Sequence, residues 1–298
     1  MITKLISKLV SNNLLGFRGI VVNFHTLTAA EQISYLDLLG KHFRFISHDE
    51  LINGTINDKR PFCLLTYDDG KLNNYQTIYP LLKSSGVPAI FYVTTEFISE
   101  DDYLLWFDRY RVALSKYPEI AHHYPISELK LLSHKERESR VTAIVSKYEI
   151  SIDPKHPDVA SFSWDNAREM IAAGYDIGSH ALYHEILPRE APEQARKSIF
   201  ESINTVSDET GVKCPSFCFP NGNYTDELAE YALECGVQTA VTTVPAWVTD
   251  RTQPAKIPRI QLHSGRSMYK ALLKINLALS PGVLENPDGT GRKYVFRK

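Results

Sequence analysis

Leu64-Leu65-Thr66-Tyr67-Asp68-Asp69-Gly70 is the stretch on which the reading of this chain turns. Two leucines and a β-branched threonine run into adjacent carboxylates and then a glycine, the pattern of a buried strand ending in a turn. Neighbouring carboxylates at a strand end repel each other, so a fold gains no stability from the pair. A metal ion would remove the conflict: one Asp binds it and the other is left free to act as a base. A plain Asp-Asp-Gly turn capping a strand would have the same sequence, and the stretch alone does not separate the two.

Far along the chain, Ile177-Gly178-Ser179-His180-Ala181-Leu182-Tyr183-His184 sets two histidines four apart. On a helical turn that spacing puts both imidazoles on one face, as in other H-x-x-x-H zinc sites. Two His and one Asp make a three-ligand site with an open position for water or substrate, the arrangement of catalytic rather than structural zinc. Two surface histidines on a loop are the plainer reading. The Asp pair and the His pair together favour the metal.

With both motifs in view, the chain resembles the polysaccharide deacetylases, the carbohydrate esterase group with a NodB-like domain. Their first motif, T-F/Y-D-D-G, is matched by Thr66 to Gly70. Their second, H-S/T-x-x-H, is matched by His180 to His184, with Ala181 in place of the usual hydroxyl residue. A relaxed third motif, F-x-Y-P-x-G, is matched by Phe217-Cys218-Phe219-Pro220-Asn221-Gly222. Order and spacing agree, and the resemblance runs from about Ile20 to about Ile260. It implies a distorted (β/α) barrel.

The bulk properties fit such a domain. The 298 residues are 43% apolar and 23% charged, ordinary for a globular protein. A net charge of −2 lacks the basic footprint of a nucleic-acid-binding protein. Cys63, Cys214, Cys218 and Cys235 form no paired zinc-finger spacing, and nothing in them demands a disulfide. No stretch reaches the roughly 20 apolar residues of a membrane span. The N-terminal run Met1 to Val10 does not read as a signal peptide, because Lys8 interrupts it and no small-residue cleavage site follows. Ile2, Leu5, Ile6, Leu9 and Val10 share one helical face, which would pack on the domain or lie at a membrane surface. The expected location is cytoplasmic, with peripheral membrane contact through this helix as the sharper variant.

Strand and helix patterns alternate. Strands are expected over 19–24, 43–46, 62–67, 89–93, 176–179, 215–219 and 238–243. Helices are expected over 29–42, 49–52, 75–84, 165–173, 191–210, 225–235 and 269–279. Such alternation suggests parallel βα units and a barrel whose active residues lie at the C-terminal ends of the strands. Residues 101–161 break the rhythm. Charged and helix-like, they read as a helical insertion within a single domain spanning 1–298, which either covers the cleft or packs outside it.

The family resemblance implies roles. Asp69, His180 and His184 would hold a divalent metal, most often zinc, and Asp68 would take a proton from the attacking water. The backbone N–H of Asn221, after Pro220, would face the oxyanion. Two histidines compete as the acid that protonates the leaving amine. His263 is offered by Ile260-Gln261-Leu262-His263, where many members carry a C-terminal L-x-H segment. His25 sits in Val22-Asn23-Phe24-His25-Thr26-Leu27, which resembles the Y-H-x-V motif of another branch and is favoured by the downstream Ile257-Pro258-Arg259-Ile260. One departure matters: Cys218 stands where stricter third motifs carry an arginine thought to orient the base. Arg259, grouped with Asn221 and Pro220 around the oxyanion and substrate, is the candidate to fill that electrostatic role from another strand. The expected activity is metal-dependent removal of an acetyl group from an N-acetylated saccharide, possibilities for its carrier being a lipid or a nucleotide. A carbohydrate O-deacetylase and a catalytically silent glycan-binding barrel are the rivals.

Overall fold

The computed structural model describes residues 18–56, 60–100 and 102–265, with 270, 271, 273, 275, 283–285 and 292–294. The amphipathic N-terminal run Met1 to Val10 lies outside the described residues. The expected helix over 269–279 is described at four positions only, all of them helical. Among the described residues no helix is long and apolar enough to cross a membrane.

The sheet grows from β1 (Arg18–Phe24) and β3 (Phe62–Tyr67), parallel and in register from Gly19 opposite Phe62 to Phe24 opposite Tyr67. Both strands are nearly continuous apolar runs, as strands covered on both faces must be. β4 (Ala89–Val93), β5 (Asp176–Ser179), β6 (Ser216–Cys218) and β7 (Thr239–Val241) follow in parallel order beyond β3. Short β2 (Arg44–Phe45) pairs with the start of β3, and β8 (Val248–Thr249) runs antiparallel to β1. One extended segment spans the gap between the outer strands. Ile257 bridges to Val241 of β7, and β9 (Ile260–Gln261) pairs with Val22 and Asn23 of β1. The sheet therefore curls into the distorted barrel that the alternating pattern predicts. A two-stranded ribbon, β10 (Val283–Glu285) with β11 (Arg292–Tyr294), stands apart in pairing.

Strand alternation sorts the core into two layers. Val21, Phe62, Leu64, Ile90, Tyr92, Cys218 and Val241 fill the interior of the curl. Val22, Phe24, Leu65, Tyr67, Phe91 and Ile177 point outward beneath the helices. These include α1 (Ala29–Gly40), α3 (Tyr79–Ser85), α9 (Trp164–Ala172), α10 (Pro192–Thr210) and α11 (Asp226–Glu234). Their starts and stops are chemically marked. Thr28 with Glu31 forms a capping box on α1, and left-handed Gly86 and Gly211 end α3 and α10. Short α2 (His48–Asn53) and α4 (Thr95–Ser99) complete the barrel's described helices before the insertion.

The insertion holds α5 (Trp106–Lys116), α6 (Ile120–His123), α7 (Ile126–Leu129) and α8 (His134–Lys147). Trp106, Tyr110, Leu129, Val141 and Ile144 give it a small apolar core of its own. Its return end is stitched to the Asp-Asp-Gly turn. Leu72 N–H donates to Ala160 O, Phe162 N–H donates to Gly70 O, and Lys71 bridges Ser161. The insertion thus rests on the candidate catalytic turn instead of packing away from it.

Candidate active site

The same two-residue alternation that places Phe62, Leu64 and Thr66 on one face of β3 delivers Asp68 to the interior at the strand's C-terminal end. His25 after β1 and His180 after β5 arrive likewise, so residues far apart in sequence meet at one rim of the barrel. They line a cleft of about 530 Å³ with Asp69, His184 and Asn221.

Asp69 Oδ1 lies 3.7 Å from His180 Nε2 and 3.6 Å from His184 Nε2. Both carboxylate oxygens of Asp69 are buried without a hydrogen-bond partner. An uncompensated buried carboxylate is costly, and two neutral imidazoles do not pay its desolvation. Burial pushes both histidines below their ordinary range, His184 strongly, which favours the unprotonated nitrogens a metal needs. His180 Nδ1 faces Cys218 O at 2.8 Å, so a proton there leaves Nε2 free toward Asp69. Ligands about 2.0–2.2 Å from a tetrahedral ion stand roughly 3.3–3.6 Å apart. The residues fit a divalent ion in donor type, spacing and unmet charge.

The local backbone corrects one expectation. His180 and His184 do not sit on a helical turn: residues 180–186 contain no helix. They converge because Ala181 (φ 64°) and His184 (φ 58°) take left-handed conformations, which fold the loop back on itself. Asp69 (φ 81°) and Asn221 (φ 57°) are left-handed too. Apart from Glu149, every non-glycine residue with positive φ among those described belongs to one of the three motifs. Such strain persists where surrounding structure enforces it, as at functional sites.

Asp68 is held separately. Arg259 Nη1 donates to Asp68 Oδ1 at 2.7 Å and Nη2 to Oδ2 at 2.9 Å. Asn23 Nδ2 adds a bond of 3.2 Å to Oδ2. Burial works to raise the Asp68 pKa, but Arg259 outweighs it and the carboxyl falls to about 2. Arg259 also reaches Thr66 Oγ1, Thr242 O and Cys218 Sγ. It is fully buried and lines the cleft behind Asp68. Asp68, His180 and Cys218 also lie close enough to hold a metal. Arg259, however, already occupies Asp68 and Cys218, leaving the Asp69 side as the open ligand set.

The third motif forms a tight turn, Pro220–Gly222, with Asn221 exposed at the rim. Gly222 (φ 75°) is required there, because a Cβ would come within 1.9 Å of Thr243 Oγ1. Among the described residues no backbone carbonyl accepts the Asn221 N–H. His25 and His263 both line the cleft. His25 bears electrostatically on Asp68 and on His184, while the backbone carbonyl of His263 accepts from Tyr35 Oη at 2.9 Å.

Several site residues escape a sequence reading. Asn23 was legible in principle, as a polar residue at an inward position between Val21 and His25. Lys71 and Asp108 form a buried ion pair joining the turn to α5, with Arg111 on the same carboxylate. The Phe107 ring packs against His184, centroids 4.9 Å apart. Lys130 Nζ donates to Asn221 Oδ1 at 2.6 Å. No local pattern marks these insertion contacts.

Comparison with known proteins gives the family and the fold. The family model described as Polysaccharide deacetylase matches residues 55–240, well over half of the chain. β1 with His25, and the closing segment with Arg259 and His263, lie outside that match. The Bacillus subtilis (strain 168) protein named "Putative polysaccharide deacetylase YxkH" is 21% identical over 213 residues. That alignment covers 70% of this chain and 56% of the relative, so the chain spans just over half the length of the curated relative it matches. Among solved structures, Streptococcus pyogenes deacetylase PplD in complex with acetate is similar at a TM-score of 0.61 and 14% identity, covering 87% of this chain and 98% of that one. IcaB from Ammonifex degensii gives a TM-score of 0.56 at 16% identity, covering 89% and 99%. The deacetylase domain of BpsB from Bordetella bronchiseptica gives 0.55 at 17%, covering 84% and 97%. These structures share the fold, and the family match gives the lineage: the chain belongs to the polysaccharide deacetylase family.

Proposed function

We propose that the protein is a metal-dependent N-deacetylase of an N-acetylated saccharide. The observation that carries this reading is the buried, unpartnered Asp69 carboxylate between His180 Nε2 and His184 Nε2, beside an Asp68 kept ionised by Arg259. Asp69, His180 and His184 would hold the ion. Nitrogen and carboxylate donors suit zinc, and the same set accepts cobalt, nickel or manganese. When bound, the ion supplies Lewis-acid polarisation of the acetyl carbonyl and makes water more acidic.

The chain's own groups divide the remaining work. Asp68 accepts the proton of the attacking water, and Arg259 with Asn23 orients its carboxylate toward the cleft. The N–H of Asn221 faces the oxygen on which negative charge develops. His25 delivers a proton to the departing nitrogen, which leaves poorly as an anion. Phe107 packs on His184 and shields that side of the site from water.

The deciding experiment measures acetate release from paired N-acetyl and O-acetyl oligosaccharides, before and after chelation and after metal is restored. Release from the N-acetyl series that vanishes with chelator and returns with metal is the expected result. Release from the O-acetyl series alone would establish the O-deacetylase instead, and release insensitive to metal removal would overturn the metal reading.

A further inference from the structure

The cleft carries more positive charge than the chemistry above uses. Lys71, Arg111, Lys130 and Arg259 line it. Asp68 is matched by Arg259, and Lys71 and Arg111 share Asp108; burial pushes the Lys71 pKa down to about 7 against the pull of Asp69 and Asp158, so Arg111 is the steadier of the two charges. Asp69 is the remaining carboxylate, and a divalent ion would more than neutralise it. Lys130 has no acidic partner at all among the described residues; its bond goes to the neutral amide oxygen of Asn221. Burial lowers the pKa of Lys130, and no carboxylate offsets that cost.

Lys130 is also held in place. The buried Arg137 donates from Nε to Leu129 O at 3.1 Å and from Nη2 to Leu132 O at 2.6 Å, clamping the backbone on both sides of it. The Arg137 guanidinium in turn lies 5.1 Å from the centre of the Trp106 ring. A flexible surface lysine would need no such support. A cation fixed at a cleft rim beside a candidate oxyanion donor has the character of a binding group.

Resting on the deacetylase reading, we infer that the substrate is an acetylated saccharide bearing an anionic group, a phosphate or a carboxylate, received by Lys130 with Arg111 adding to the attraction. A lipid-diphosphate or nucleotide carrier would supply phosphate, and an acidic neighbouring sugar would supply carboxylate. The insertion that brings Lys130 and Arg111 to the barrel is then a specificity element, since neither residue belongs to the three motifs.

Calorimetry on the metal-loaded full chain tests this with three probes: a neutral N-acetylglucosamine oligosaccharide, the same sugar with a terminal phosphate, and one joined to a uronic acid. One anionic probe should bind at least about tenfold more tightly than the neutral one at low salt, with the advantage shrinking at high salt. Which anion wins distinguishes the sources. Lys130→Met should reduce the anionic-to-neutral ratio by about tenfold, and Lys130→Arg should retain it. Because the ratio is taken within each variant, a general loss of folding or of Asn221 positioning cancels. Equal binding of all probes, no binding of any, or a ratio unchanged in Lys130→Met overturns the inference. Acetate release is followed in parallel. Charge-selective binding without release would sink the deacetylase reading and leave the anion site standing, while release without charge selectivity would do the reverse.

Discussion

Arg259 grips both oxygens of Asp68 from 191 residues away in sequence, at 2.7 and 2.9 Å. The segment that carries it is the one that spans the gap between β7 and β1. Closing the barrel and orienting the candidate base are therefore one structural event. Arg259→Met would strand a buried carboxylate, which typically costs about 3–5 kcal/mol. Chemical unfolding at neutral pH measures the loss. A cost under about 1 kcal/mol would mean that Asp68 finds another partner and that Arg259 is not its anchor. Arg259→Lys should rescue little, because a lysine cannot reproduce the two-pronged contact.

Asp69 and Asp68 should separate cleanly. Asp69→Ala or His184→Ala removes a direct ligand, so metal affinity should fall by more than about 100-fold, beyond the 10–100-fold typical of losing an outer partner. Asp68→Asn should retain the metal and lose turnover by about 100-fold or more. Elemental analysis beside acetate release reads both. Metal retained in Asp69→Ala, or near-normal turnover in Asp68→Asn, would reassign the two carboxylates.

The leaving-group acid is decided by substrate choice. An amine departs only with a proton, whereas an activated aryl oxide departs without one. His25→Ala should suppress amide hydrolysis strongly and spare an activated acetate ester. His263→Ala should affect both mildly and alike. The reverse pattern would make His263 the acid.

His48 offers a stability test remote from the chemistry. Its Nε2 lies 2.8 Å from Thr239 Oγ1 at the far end of the barrel. Burial lowers its pKa, nearby Asp49 partly counteracts this, and the result is about 4. The unfolded value is about 6.5, so the unfolded chain takes up the proton first. The stabilisation is complete above about pH 6.5 and is lost as pH falls through about 4. Between pH 7 and pH 5 the wild-type protein should lose on the order of 1–2 kcal/mol more than His48→Gln does. Urea midpoints at the two pH values give the comparison, and parallel losses in both proteins would show that His48 is not the titrating group.

Strands β3 and β4 have the bounds their sequences predict, Phe62–Tyr67 and Ala89–Val93, because a buried parallel strand needs an apolar residue on both faces. The three motifs were legible for a related reason: side-chain alternation and fixed spacing carry local chemistry to a strand end. The His180–His184 spacing fitted a helical turn equally well, and only the left-handed backbone at Ala181 and His184, in a loop bonded to Val93, Thr95, Glu96 and Ser198, decides otherwise. Cys218 in the arginine position was ambiguous in the sequence, since nothing local states which distant cation arrives at 2.9 Å from its sulfur. The Lys71–Asp108 pair, the Phe107–His184 contact and the Lys130–Asn221 bond belong wholly to the tertiary structure. Each joins the insertion to the barrel across space, and helix periodicity specifies which face of a helix is apolar without specifying what that helix will meet.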